Sequence, residues 1–416
     1  MSPAPLRRTR GDLIASAVIA IVVALALVGV VTFADVRQVH AERAEFVPNV
    51  ARPLTDLPAE LTAEWQAEQH GLPGQNRPVV AAGMTIVAEQ HGVRALAPDG
   101  AQVWRYARDN RQLCQLMGAW DTAILVFRNS AGCGDVVALD GATGQYSAAR
   151  SAPAPDMVHP VASNSRVGIV SPERVELWRS DLVRSVEYGQ VHAKQEPHQQ
   201  PHEDCAITSA ATRTELLVTT ERCPDDDHAS WLRFQEVTPK DSRAPKIDGE
   251  VHLEEGARIV AVGQDAAAVY VPVDPPRLKG FRRDGEQLFD REVAQAPAVE
   301  ETGVPFSPQT ADLPHAMTWF DGQRLYLFHP TNLDVIASFD DAIGTGVAIG
   351  SHLVYPSAAG LTVVDPDSGE VVRTVAIKRA QSDGPIALAV AGDRIIEQRG
   401  TEVVGLAPPP GRPASA

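Results

Sequence analysis

Lysine is scarce, with five in 416 residues, so basic charge is carried almost entirely by arginine, a trait of genome composition rather than mechanism. Acidic residues outnumber basic ones, 53 against 37, for a net charge of -16. A surface of that sign sets the main body against nucleic acid and anionic lipid headgroups, so no nucleic-acid partner is expected. Cysteine is limited to Cys114, Cys133, Cys205 and Cys223 with no CxxC pair, which argues against a zinc site built from all four. There is no G-x-S-x-G, no H-E-x-x-H, no phosphate loop and no dinucleotide fingerprint. The sequence therefore assigns no catalytic or cofactor-binding residue, and the chain is read as a non-enzyme.

The strongest local signal is apolar. Residues 13–33 carry no charge, and at about 1.5 Å per residue such a helix crosses a hydrocarbon core of roughly 30 Å. Arg7, Arg8 and Arg10 precede it, which by the positive-inside rule leaves the N-terminus in the cytoplasm and the rest outside the cytoplasmic membrane. A cleaved signal peptide is the rival reading, with Thr32 and Ala34 as small residues before a cut, but the run exceeds the 7 to 15 residues or so of a signal core. The expected organisation is a cytoplasmic tail at 1–12, a transmembrane helix at 13–33, a charged tether at 34–59, a folded body at 60–408 and a disordered tail at 409–416. Residues 35–46 are a candidate outward extension of the helix.

The body is organised by a recurring hairpin. Residues 360–377 read GLTVVDPDSGEVVRTVAI, two runs of alternating apolar residues around an Asp/Pro/Ser/Gly turn. Copies at 93–106, 136–149 and 325–339, with looser ones near 175–188 and 278–293, recur at about the 40 to 45 residue spacing of a four-stranded propeller blade. The expected fold is all-β: an eight-bladed propeller of antiparallel blades preceded by one transmembrane helix. Blades are expected at 79–106, 113–149, 158–188, 205–251, 258–293, 298–339 and 345–377. The eighth joins three C-terminal strands to an N-terminal strand at 61–66, which closes the ring. Seven blades remain the alternative if the Pro-rich stretch 298–318 is loop.

In this layout each cysteine pair has one member at the start of a blade's first strand and the other near the end of its second. Those ends are neighbours, so disulfides Cys114 to Cys133 and Cys205 to Cys223 are expected, with four separate buried thiols as the alternative. Disulfides suit an extracytoplasmic body.

The turns carry a specific likeness. Ala138, Asp140, Thr143, Gly144 and Gln145 follow the A-x-D-x-x-T-G-[KE] core of the tryptophan-docking repeat except at the last place. Gly100 to Trp104 keeps its G-x-x-x-W end, and Asp365, Ser368, Gly369 and Glu370 form a partial copy. The chain resembles the PQQ-like, or quinoprotein alcohol dehydrogenase-like, β-propeller superfamily. The resemblance implies that the Trp of one blade packs on a peptide of the next. The docking position is Ala148 in the second blade and Arg373 in the seventh, which implies a less regular ring. The family's enzymes often pair adjacent cysteines and hold calcium beside the quinone. Neither feature can be matched here, so the resemblance is to a non-catalytic, membrane-anchored member.

Functional residues are expected on the face formed by the long loops 190–204, 221–229 and 294–314, opposite a face of tight turns at 164–165, 263–265 and 283–285. Two of these loops flank the fourth blade and contain His192, His198, His202 and His228 with several carboxylates. The four histidines are candidate ligands for zinc or copper, weighed against a solvated polar loop. The function expected is a protein-binding scaffold in the cell envelope, with other envelope proteins as partners. The alternatives are a ligand or metal sensor using the long-loop face, and a reduced quinoprotein-type enzyme.

Overall fold

The computed structural model describes residues 8–45, 53–192, 194–226, 229–300, 303–314, 316–379 and 384–409. An apolar helix, Arg10–Phe33, opens with a capping box in which Thr9 and Asp12 satisfy each other's backbone N–H groups. It is long and apolar enough to cross a membrane, and none of its apolar window is buried against the body. After it come eight antiparallel sheets in a ring.

Blade one comprises Val79–Ala81, Met84–Glu89, Gly92–Leu96 and Gln102–Arg108; blade two, Leu113–Ala119, Thr122–Asn129, Gly132–Asp140 and Tyr146–Ser151. Blades three to five follow in the same way, from His159–Ala162 to Gln287–Glu292. Blade six begins at Gln309–Leu313 rather than at residue 298. Among the described residues the preceding Pro-rich stretch forms the short helix Pro297–Glu300 and a crossing segment, yet the blade still has four strands, so the count is eight. The innermost strand of blade seven is split: Val347–Ile349 pairs within its own blade, while Gly344–Thr345 pairs in parallel with Ile386–Ala391 of blade eight. Thr62–Glu68 is the outer strand of that last blade, in register with Glu402–Ala407, as the repeat analysis required.

Apolar packing lies between blades rather than within them. Eight clusters of buried side chains occur, one in each gap. The middle strands of each blade are covered on both sides and are the most buried, as in Ala316–Phe320 and Leu325–Phe328, whereas outer strands such as Tyr146–Ser151 alternate with solvent. The gap between blades eight and one is the thinnest, with Ala391, Ile396 and Val403 buried and Trp65 half-buried against them.

Turn chemistry sets the docking. Asp140 Oδ1 accepts from the N–H and the hydroxyl of Thr143, at 2.8 and 2.7 Å, and Gly144 takes the left-handed conformation that closes the turn. A Cβ on Gly144 would strike the ring of Trp104, whose indole donates to Gly141 O at 2.8 Å. Trp65 repeats this contact from blade eight onto blade one, donating to Pro98 O with its ring against Gly100.

The tether departs from expectation. The helix stops at Phe33, Ala34 is extended, and Asp35–Gln38 makes one 3-10 turn. Val39–Glu42 then pairs with the outer strand of blade one as a fifth strand. The unpaired edge of the blade offers backbone partners that a continued helix would forgo. Farther on, Leu57 and Leu61 pack into the gap between blades seven and eight. Arg373, at the docking position without Trp, reaches Asp56 at 3.1 Å and the carbonyl of Leu57.

Candidate functional site

The inner strands of all eight blades enclose an axial channel of about 450 Å³, within the roughly 300–1,000 Å³ of small-molecule sites. Its wall mixes apolar side chains, such as Leu116, Val260, Leu388 and Val390, with polar groups, such as Asn164, Thr310 and Thr345. Two segments meet over its long-loop end. Asn76 Nδ2 donates to Ser307 O at 2.7 Å, His159 Nδ1 lies 2.8 Å from Ser307 Oγ, and the Phe306 N–H donates to Thr208 O at 2.8 Å. Gln115, fully buried, donates to Pro73 O and Val158 O, tying the stopper to blade two and to the connector entering blade three. Burial lowers the pKa of His159, favouring the neutral ring. None of these residues stood out in the sequence; the signals were the Pro-rich stretch before blade six and the Leu72-Pro73-Gly74 break before blade one.

The calcium that the resemblance implies beside a quinone finds no carboxylate donor among the described residues of this channel. Calcium takes six to eight or so oxygen ligands, carboxylates among them, and among the described residues the lining includes no Asp, Glu or His.

The long-loop face includes the loop 190–204, on which His192, His198 and His202 lie. Among the described residues, the one cluster of three metal-capable side chains is Cys205, Glu221 and Cys223, and two of these form a disulfide. His192 and His198 lie on the 190–204 loop outside that cluster, and His228 lies outside the described residues. His202 Nε2 sits 3.2 Å from Glu250 Oε1, but Glu250 also pairs with the Arg233 guanidinium. Desolvation, with the Arg233 charge adding to it, pulls the pKa of His202 down to about 4. His252, which the sequence did not single out, shares Asp226 with the Trp231 indole, at 3.1 and 2.8 Å.

Beneath this loop lies a buried polar network. Glu221 accepts from Tyr188, Thr219 and Arg233, at 2.8, 2.6 and 2.9 Å. Burial raises its carboxyl and these bonds oppose the rise. Gln200, buried, donates to Glu187 O and Arg243 O, fixing the loop root. Blade eight holds Glu397, fully buried, between Arg379 and Arg399 at 2.8 and 2.6 Å. These are packing devices: every charge faces its partner inside the wall. Both expected disulfides are present, Cys114 to Cys133 and Cys205 to Cys223, with Cα atoms 6.0 and 4.1 Å apart.

No protein-family model matches the sequence, and no curated relative is detected by sequence. Solved structures do match. Quinohemoprotein alcohol dehydrogenase from Comamonas testosteroni aligns with a TM-score of 0.50 at 11% identity, over 85% of this chain and 78% of that one. The computationally designed Ika8 protein aligns at 0.50 and 12% identity, over 82% and 99%. BamB from Moraxella catarrhalis aligns at 0.49 and 14% identity, over 83% and 99%. At such identities the likeness is one of fold: the body is an eight-bladed β-propeller of four-stranded antiparallel blades. One match is a dehydrogenase and another a designed body, so this architecture by itself assigns no activity.

Proposed function

We propose that this protein is a single-pass, non-catalytic membrane scaffold whose propeller stands outside the cytoplasmic membrane and binds other envelope proteins. The observation that supports this best is the join between helix and body. Only Ala34 separates the apolar helix from a turn that Asp35 bonds to Asn110 and Arg111 of the connector between blades one and two, at 3.0 and 2.9 Å. An uncleaved helix would hold the propeller at the membrane with little slack, and the two disulfides suit an oxidising compartment.

The binding surface we favour is the outer edge of blade seven. Its last strand, Val371–Ala376, has no neighbour on its outer side among the described residues and presents Val371 and Val372, 57% and 54% exposed. Blade one illustrates the kind of ligand such an edge accepts, since Val39–Glu42 has already added to it as a strand. An extended segment of a partner would add to blade seven in the same way.

Crosslinking of the tagged full-length protein in native membranes, followed by pull-down, tests this reading. One defined envelope protein should be captured, and the double variant Val371→Asp with Val372→Asp should lose it while keeping its fold. Capture unchanged in the variant would reject the blade-seven edge; no envelope partner at all would reject the scaffold. Titration with PQQ and calcium should leave the absorption spectrum and melting unchanged, and a shift in either would argue for an enzyme.

A further inference from the structure

The tether also orients the ring. Each blade's outer strand runs between the two faces, and Val39–Glu42 is antiparallel to Gln102–Arg108, with Val39 opposite Arg108 and Glu42 opposite Arg105. Arg108 leads into the connector from blade one to blade two, which belongs to the long-loop face. The chain therefore leaves the helix at that face and travels toward the tight turns, where the Ala44 N–H donates to Thr143 O at 3.1 Å.

The exit is locked to a continuous sector of the face. Asp35 pairs with Arg111, the Asp109 N–H donates to Gln38 O at 2.9 Å, and His40 meets Asp109 at 2.8 Å. The Arg128 N–H donates to Gln112 O at 2.9 Å, and its side chain lies 3.4 Å from Asp156, on the connector into blade three. Exposed apolar side chains stand at both ends of the sector, Val36 at 74% and Met157 at 67%. The sector comprises Asp35–Gln38 and residues 109–112, 128–131 and 152–157. Its arginines, Arg37, Arg111 and Arg128, are matched by Asp35, Asp109 and Asp156. The sector is thus neutral in a chain of net charge -16, where most of the surface would be repelled by anionic headgroups.

We infer that this sector of the long-loop face rests on the headgroup layer of the membrane that the protein's own helix spans, with Val36 and Met157 dipping into it. The inference rests on the anchor reading above. It places the stoppered end of the axial channel toward the lipid and the tight-turn face away from it.

All four cysteines are in disulfides, so a cysteine introduced singly is the sole free thiol. The full chain would be reconstituted into phosphatidylcholine vesicles doped with a lipid bearing a nitroxide on its headgroup. An environment-sensitive fluorophore is then attached in turn to Val36→Cys, Met157→Cys and Ser180→Cys. Ser180 is exposed on the tight-turn side of blade three, across the blade from Met157. The expected result is loss of most of the fluorescence at positions 36 and 157 and none at 180. Quenching at 36 with none at 157, or with equal quenching at 157 and 180, overturns the orientation while leaving the anchor in place. Vesicles that fail to carry the chain in flotation, or no quenching at 36, overturn the anchor reading and this inference with it.

Discussion

Trp65 donates its indole N–H to the carbonyl of Pro98 at 2.8 Å, and this contact fastens the last blade to the first. The apolar cluster in that gap has only three buried members, so more of the seam depends on one ring there than in the other gaps. Trp65→Phe removes the hydrogen bond and should cost about 1 kcal/mol. Trp65→Ala also removes half-buried packing and should cost roughly 2–3 kcal/mol, somewhat below the range for a fully buried Trp. Denaturant unfolding of the detergent-solubilised protein reads both. Limited proteolysis of Trp65→Ala should cut first between residues 53 and 79; cleavage elsewhere would show that the seam is not the weak point.

The disulfides bridge separations of 19 and 18 residues, on blades two and four. Loops of that length correspond to about 3 kcal/mol each in the chain-entropy account. The paired changes Cys114→Ser with Cys133→Ser, and Cys205→Ser with Cys223→Ser, should each lower stability by that order, and additively because the sites share no contacts. A reducing agent should lower the melting temperature of the native chain and leave the quadruple variant unaffected.

Glu397 is wholly buried between two guanidiniums. Glu397→Gln keeps the shape but leaves Arg379 without its counter-charge and Arg399 with only the more distant Glu402, at 3.9 Å, at a cost of about 3–5 kcal/mol. Replacing Glu397 and both arginines together with apolar residues should recover part of the loss, since it is the broken pair rather than the missing pair that is costly. Urea midpoints of the two variants separate these effects.

His202 supplies a pH signature. Its folded pKa, about 4, lies below the ordinary value of 6.5, so between those values the unfolded chain binds the proton and the folded chain does not. Stability from this group is therefore complete above about pH 6.5, falls as the pH drops toward 4, and changes no further below that. Because the side chain is 28% exposed, solvent screening reduces the effect to the order of 1 kcal/mol. The difference in unfolding free energy between wild type and His202→Gln should shrink across this window. A constant difference from pH 7 to pH 4 would mean that His202 titrates normally.

Much of this architecture was legible because a blade is a local object. The Asp140, Thr143 and Gly144 turn, the period of the hairpins and the pairing of the cysteines all depend on residues within one blade, and the structure matches each. The site was far less legible. His202 was legible only as one of four histidines flanking one blade, whereas its place beside Glu250, and the pairing of His252 with Asp226, come from the fold. The channel stopper joins Asn76 to Ser307, a contact across the ring that no periodicity records.

The order of residues alone determined that the body is a ring of antiparallel blades, that an apolar helix precedes it, and which cysteines are neighbours, because backbone pairing and turn chemistry act over short stretches of chain. Tertiary structure decided that the tether becomes a strand on blade one, that Trp65 locks the seam, and which residues face the axis. Those outcomes depend on which unpaired edges and open grooves remain once the blades have packed, and that is a property of the closed ring rather than of any segment in it.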